Sequence, residues 1–299
     1  MTGRLLVTGA ALAAACASRT GAGGSTPAPV APPPAAPAAA PVQAIAQPAG
    51  RRSDVIHYGP SALRYVVHRR LHIQQGQAER PQAQDLGARI YVTATIAGPA
   101  DSVGYPATFT VDSIVPDSGT PPPVAENVSK ARKLVFSGRL LPRGEFVNAV
   151  PSDSVLAQSL VQLLAGFRDF LPRIPRDGLK PGAAWTDTVE ATQKGASSEV
   201  SRRAIVRSAA AAGEDYAVAH SVRLEASSTY QVAGAGQNGG QPFELAGSGS
   251  STAVSFIAVD GRYLGGESRD SAALTVRLPV QGIAIPVVQL THTTVAVQP

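Results

Sequence analysis

The sequence is poor in the residues that build covalently cross-linked or metal-stapled folds. Its 299 residues include a single cysteine, Cys16, which excludes a disulfide framework and a metal cluster of several cysteines. Only four of the 26 basic residues are lysine, and no run of Lys and Arg exceeds two. The chain therefore lacks the cationic stripe that nucleic-acid binding requires. Glycine and proline are in excess, and most surplus proline precedes residue 50, which indicates a tail followed by a folded body.

Residues 1–15 have the organisation of a bacterial secretion signal. Arg4 supplies a positive charge, residues 5–15 form an eleven-residue run of small and apolar side chains, and Cys16 follows. A helix that spans a bilayer needs about 20 residues, so this run is too short to cross a membrane. It predicts a signal peptide instead. One interpretation of Cys16 is an incidental thiol beside an ordinary A-x-A cleavage site.

The other interpretation rests on the segment LAAAC, residues 12–16, which resembles the lipobox of bacterial lipoproteins. The leucine usual at the third place before the cysteine is replaced by Ala13, and Leu12 lies one place earlier. The resemblance implies that Cys16 carries a diacylglyceryl group and an amine-linked acyl chain such as palmitate, and stable anchoring needs more than one chain. By the sorting rule of such lipoproteins, Ala17 implies the outer membrane, with the body facing the periplasm or the cell surface.

Residues 16–50 predict a spacer between the anchor and the body. No charged residue occurs between positions 20 and 50, and the run PAPVAPPPAAPAAAPVQ is nearly all proline and alanine. Proline fixes φ and removes amide donors, so the segment is expected to be disordered and extended, partly as polyproline II. The alternative is a proline-rich ligand for a partner domain.

Residues 51–299 predict one β-rich domain, because apolar and polar residues alternate from position 62 onward. One face of the segment 62–75 is interrupted by Arg69 and otherwise comprises Tyr65, Val67, Leu71 and Ile73. The opposite face is polar and includes His68, Arg70 and His72. Segments 88–96 and 107–114 repeat the alternation, which predicts antiparallel strands with one wet face. Asp260-Gly261 predicts a hairpin with a type I′ turn, and Lys180-Pro181-Gly182 predicts a tight turn.

Two segments of this body predict helices. In residues 152–171 the leucines and phenylalanines recur at three- and four-residue spacing, Ser152 or Asp153 can cap the first turn, and Pro172 ends the pattern. Because its apolar stripe is wide, this helix is expected to pack against the sheet in the middle of the core. A shorter helix is predicted around residues 125–133.

The motifs that could carry chemistry are weak. His68 and His72 could share a metal on a helix, but on a strand four residues span about 13 Å, so a solvated face is favoured. The alternative is a cationic stripe of His68, Arg70 and His72 that faces an anionic head group. The segment 234–239 matches G-x-G-x-x-G, yet Gly240-Gln241-Pro242 cannot begin the helix that dinucleotide binding needs, so a hairpin loop is predicted. The sequence predicts no metal, cofactor or catalytic residue and favours a non-enzymatic protein.

Taken together, these features resemble bacterial envelope lipoproteins with a half-barrel body of the lipoprotein-carrier kind. The resemblance implies a mainly β (α+β) fold, a long curved antiparallel sheet with one principal helix packed on its concave face. It also implies that an apolar or lipid-like ligand binds between sheet and helix, near Leu160, Leu164, Phe167 and Trp185. The alternative function is a structural or assembly scaffold of the outer membrane that binds another envelope protein.

Overall fold

The computed structural model describes residues 55–76, 81–120, 122–159, 169–194, 197–216 and 219–298. The predicted signal peptide, Cys16 and the predicted spacer lie outside these ranges. Eleven β-strands are described: β1 Ser61–Gln75, β2 Gln82–Ile96, β3 Tyr105–Pro116, β4 Val135–Leu140, β5 Phe146–Pro151, β6 Ala184–Lys194, β7 Ser198–Tyr216, β8 Ala219–Asn238, β9 Gln241–Ala258, β10 Tyr263–Leu278 and β11 Ile283–Gln298. Two α-helices are described, α1 Pro122–Lys130 and α2 Ser154–Ser159. Neither has the length and apolar character that a bilayer crossing requires.

All eleven strands belong to one unclosed antiparallel sheet in the order β5-β4-β3-β2-β1-β11-β10-β9-β8-β7-β6. The predicted mainly β, antiparallel character is therefore confirmed. The first and last strands pair in the middle of the sheet, from Arg64 opposite Gln298 to Gln75 opposite Val287. The first half of the chain runs outward from β1 to β5, and the second half runs inward from the edge strand β6 to β11, each as a meander.

The two faces of the sheet follow the alternation in the sequence. On β1 the buried side chains are Tyr65, Val67, Leu71 and Ile73, and they define what we call the inner face. The outer face carries His68, Arg70 and His72. The main hydrophobic cluster lies on the inner face, and its largest fully buried side chains include Phe109, Phe146, Ile90, Leu140, Ile174 and Leu179. Burial of each such side chain contributes about 1.5–3 kcal/mol.

The chain between β5 and β6 bridges the two edges of the sheet. The Tyr58 hydroxyl donates to the Pro172 carbonyl at 2.6 Å, and the Ile174 amide donates to the Arg143 carbonyl at 3.1 Å. Ile56 and Leu179 exchange two backbone hydrogen bonds of 2.8 Å. Arg143, in the β4–β5 turn, forms an ion pair with Asp187 on β6. Residues 169–183 thus connect strands that do not pair with each other.

The prediction of one principal helix over residues 152–171, packed on the concave face, is wrong for the described residues. Helix α2 ends at Ser159 and contacts α1 and the edge strand β5. Asp153 does cap it, because its carboxylate accepts the Leu156 amide at 2.9 Å. Phe170 and Leu171, expected in the last helical turn, lie outside any helix. Pro172 disfavours the α conformation at Leu171, and Pro172 and Pro175 lack amide donors, so non-helical chain packs on the sheet here.

The predicted turns are confirmed in place, and one differs in type. The Ala183 amide donates to the Lys180 carbonyl at 3.1 Å, and Gly182 has a φ of 82°. Asp260-Gly261 does join β9 to β10, but among the two residues only Gly261 has positive φ, at 87°. The turn is therefore a three-residue loop, 259–261, with a left-handed glycine, and not type I′. Most of the motif 234–239 forms the last residues of β8. The turn that joins β8 to β9 is made by Gly239 and Gly240, which both have positive φ.

Candidate functional site

The inner face contains a cavity of about 280 Å³. Val67 on β1 and Leu224 on β8 both line it, although three strands separate β1 from β8. In a flat sheet with strands about 4.8 Å apart these two strands would lie about 19 Å from each other. The sheet therefore bends toward its inner face, and the bend encloses the cavity.

One wall of the cavity is aromatic. The ring centroid of Phe170 lies 5.0 Å from that of Tyr65, 5.2 Å from that of Phe109 and 5.8 Å from that of Tyr263, all in edge-to-face geometry. The Tyr65 hydroxyl donates to the Tyr263 carbonyl at 2.9 Å. Burial raises the pKa of the Tyr65 phenol, so the group stays neutral. The cluster fixes Phe170 against the sheet and gives the cavity an apolar surface.

Arg69 places a cation in the same cavity. It stands opposite Thr293 on β11, in the row of the inner face that also carries Ser268 on β10 and Ser208 on β7. Burial lowers the pKa of its guanidinium and the charge of Asp270 opposes that shift; arginine nevertheless remains protonated in proteins. The cavity therefore combines an apolar wall with hydroxyl groups and the cation of Arg69. Arg173 and Asp169 from the bridging chain also line it and form an ion pair with each other.

Beyond Arg69, the inner face carries a polar network centred on Asp270. The Tyr230 hydroxyl donates to the Asp270 carboxylate at 2.7 Å, and an Arg202 amino group lies 3.4 Å from it. The Arg202 guanidinium also stacks over the Tyr230 ring, 3.7 Å from its centroid. Burial and the hydrogen bond to Asp270 raise the pKa of Tyr230. Gly249 makes this arrangement possible, because a Cβ there would lie 2.3 Å from the Tyr230 Cζ atom.

The residues predicted to face a ligand have different outcomes. Leu160, Leu164 and Phe167 lie outside the described residues. Trp185 is half-buried against the main cluster, and its partner in the ladder, Ser208, lines the cavity. Its indole nitrogen is buried and has no hydrogen-bond partner within the described ranges. Trp185 therefore lies next to the cavity.

The sequence pattern missed the contributions of Arg69, Phe170 and Tyr263 to this site. The signal for Arg69 was present, since it interrupts an otherwise apolar strand face, and such local violations concentrate at functional sites. The helical spacing of residues 152–171 includes Phe170, so the sequence does not predict its position over Tyr65 of β1 and Phe109 of β3. Nothing in the local sequence around Tyr263 distinguishes it from an ordinary core residue.

The outer face carries a second and larger cleft, of about 1050 Å³, beside the predicted stripe of His68, Arg70 and His72. The stripe lies on a strand, as predicted, and carboxylates accompany it. His68 Nε2 lies 2.9 Å from an Asp117 oxygen, and His72 Nδ1 lies 2.8 Å from an Asp85 oxygen. Within the ranges that the structure covers, no group of three or more His, Cys, Asp or Glu side chains could hold a metal ion.

No family model and no curated protein matches the chain. Among solved structures, it aligns with a chain of the crystal structure of Acinetobacter baumannii OccAB4, at 10% identity. The alignment covers 79% of this chain and 98% of that chain, with a TM-score of 0.15. A TM-score this low supports no conclusion about fold or function.

Proposed function

We propose that the chain is a lipid-anchored protein of the bacterial envelope that binds a lipid-like ligand on the inner face of its sheet and catalyses no reaction. The observation that carries this proposal is the inner cavity, where the apolar side chains of Phe170 and Tyr263 share one space with the cation of Arg69. An amphiphile with an acidic head group matches both parts.

The size of the cavity restricts the ligand. Small-molecule pockets measure about 300–1,000 Å³, and the inner cavity, at about 280 Å³, is slightly smaller than that range. A single medium-length acyl chain or a small ring system suits this volume better than a lipid with several chains. The hydroxyls of Ser208, Ser255 and Ser268 around Arg69 can donate further hydrogen bonds to an acidic head group.

A medium-chain fatty acid and its methyl ester are the appropriate pair of probes for the full-length protein. We expect the acid to bind more tightly than the ester, because only the acid presents a carboxylate to Arg69. Arg69→Gln should weaken acid binding by about tenfold or more, the cost of losing a hydrogen bond to a charged group, and leave ester binding unchanged.

The matched control is Arg64→Gln, which removes an exposed arginine from the same strand. It should leave both affinities unchanged. Urea unfolding of each variant separates loss of the site from loss of the fold. If neither the acid nor the ester binds, and native mass spectrometry of the full chain isolated from cells finds no bound lipid, the ligand-binding proposal is overturned.

The anchor is tested separately at Cys16. The lipobox-like segment before this residue supports acylation, and Ala17 supports the outer membrane as the destination. We expect Cys16→Ser to move the protein from the membrane fraction to the soluble fraction of a two-membrane bacterium. Continued sedimentation of this variant with outer membranes would contradict a covalent lipid anchor.

A structural or assembly role is the second candidate, and the edge of the sheet favours it. β6 is the last strand in the order, so one row of its backbone donors and acceptors has no partner among the described strands. Such an edge can pair with a strand of another envelope protein. This role predicts site-specific cross-links from exposed Thr188 on β6 to a partner protein, and their absence from intact cells would exclude pairing along this edge.

A further inference from the structure

The outer cleft contains a cross-strand row of basic side chains. Arg70 on β1 stands directly opposite His292 on β11, and His292 stands opposite Arg269 on β10. Residues directly opposite in antiparallel strands have Cβ atoms about 4.5–5.5 Å apart, so the three side chains are neighbours on one face. All three line the cleft, together with Arg89 from β2.

Three carboxylates accompany this row, and each contacts a histidine. Glu267 lies 3.0 Å from His292 Nε2 and 2.9 Å from Arg269 Nη2. Asp117, which follows β3, lies 2.9 Å from His68 Nε2 and 3.7 Å from Arg70 Nε. Asp85 on β2 lies 2.8 Å from His72 Nδ1.

The charge of the cleft therefore depends on its histidines. Asp85 and Asp117 line the cleft and Glu267 borders it, and with neutral histidines these three carboxylates balance Arg70, Arg89 and Arg269. His72 and His292 line the cleft and His68 does not, so protonation of the two lining histidines adds two positive charges to it. Histidine is the side chain whose charge ordinarily changes between about pH 5 and pH 8. Hydrogen bonds from Arg269 and His292 hold the pKa of Glu267 below its usual range, so this carboxylate stays ionised at mildly acidic pH.

The arginines are available to an incoming anion. The side chain of Arg70 is 65% exposed and that of Arg269 is 73% exposed. Exposed ion pairs contribute little to stability, so an anionic ligand can displace the carboxylates without disturbing the fold. Thr252, opposite Arg269 on β9, adds a hydroxyl donor on the same face. Two exposed arginines with a hydroxyl beside them suit a tetrahedral oxyanion.

We propose that the outer cleft binds the phosphodiester head group of an anionic membrane lipid, and that it binds more tightly at mildly acidic than at neutral pH. A phosphodiester keeps its charge over this range, so the change in affinity comes from the protein. The proposal is independent of the inner cavity, which lies on the other face.

Vesicle sedimentation with the full chain carrying Cys16→Ser tests the proposal without the acyl anchor. Vesicles of phosphatidylglycerol in phosphatidylcholine are compared with pure phosphatidylcholine at pH 5.5 and pH 7.5. We expect binding to the anionic vesicles to be about tenfold tighter at pH 5.5 than at pH 7.5. Two added positive charges about 5 Å from a phosphate in a water-like dielectric give a ratio of this size. The double variant Arg70→Gln/Arg269→Gln should lose this binding, and His292→Gln should reduce the pH ratio.

The matched control is Arg203→Gln, which removes an exposed outer-face arginine of β7 that pairs with Glu190 away from the cleft. It should bind as the parent does. Equal binding to both vesicle types, equal affinity at both pH values, or unchanged binding of the double variant would overturn the proposal. Sulfate, which also keeps its charge, is the soluble probe. If sulfate binds with the same arginine dependence and the vesicles do not, the lipid assignment is wrong.

Discussion

Phe109 is the side chain whose removal tests the proposed packing of the core most directly. It is 1% exposed, and its ring lies 4.8 Å from that of Phe146 and 5.2 Å from that of Phe170. Through these contacts it joins β3 to β5 and to the chain that bridges the sheet edges. Phe→Ala substitutions in protein cores cost about 3–5 kcal/mol of stability. Because Phe109→Ala also removes two edge-to-face aromatic contacts, its cost should lie in the upper half of that range.

For Phe109→Ala we therefore expect a loss of about 4 kcal/mol in the free energy of unfolding, measured by urea denaturation with fluorescence and circular dichroism. With an m-value of about 3 kcal/mol/M, the midpoint would fall by about 1.3 M. Phe109→Leu should recover most of the loss, because it refills much of the volume. Val150→Ala on the edge strand, where the valine is 66% exposed, should change stability by less than about 0.5 kcal/mol. A loss below about 1 kcal/mol for Phe109→Ala would refute the described packing of the bridging chain.

Two further predictions concern single turns. Gly261→Ala should lower the thermal unfolding midpoint more than Gly119→Ala does. Both glycines have positive φ, but only a Cβ at position 261 would meet backbone, 1.9 Å from the His57 carbonyl oxygen. Equal midpoints for the two variants would contradict that contact. The pKa of Asp101 is lowered by hydrogen bonds from the amides of Gly104 and Val103 and by the nearby Arg139. The ionised carboxylate therefore stabilises the folded protein fully at pH values above its unfolded-state pKa. This stabilisation is lost as the pH falls through the lower pKa of the folded state. Asp101→Asn should therefore show a weaker fall in the thermal midpoint below pH 4 than the parent, and identical pH profiles would refute the assignment.

The strands could be predicted because their signal is local. The alternation of Tyr65, Val67, Leu71 and Ile73 against a polar face is sufficient to define β1, and its burial follows the same period. The pairing of β1 with β11 could not be predicted in this way, since nothing near either strand specifies a partner at the other end of the chain.

The candidate site was less accessible from sequence because it is made by the bend of the sheet. Arg69 was visible only as an interruption of a pattern, and its neighbours in the cavity come from seven strands and the bridging chain. The helical spacing of residues 152–171 included Phe170 and Leu171, where Pro172 and Pro175 favour extended chain. The periodicity of apolar residues was therefore a poorer guide there than the prolines that follow.

The pairing of the first and last described strands at the centre of the sheet makes its middle the part with the longest loop to close. β2 can form a hairpin with β1 locally, but the other edge of β1 has no ladder partner until residues 287–298 reach it. A chain that must close so long a loop folds slowly and exposes an unpaired edge meanwhile. Deleting β11 would therefore divide the centre of the molecule instead of trimming its margin.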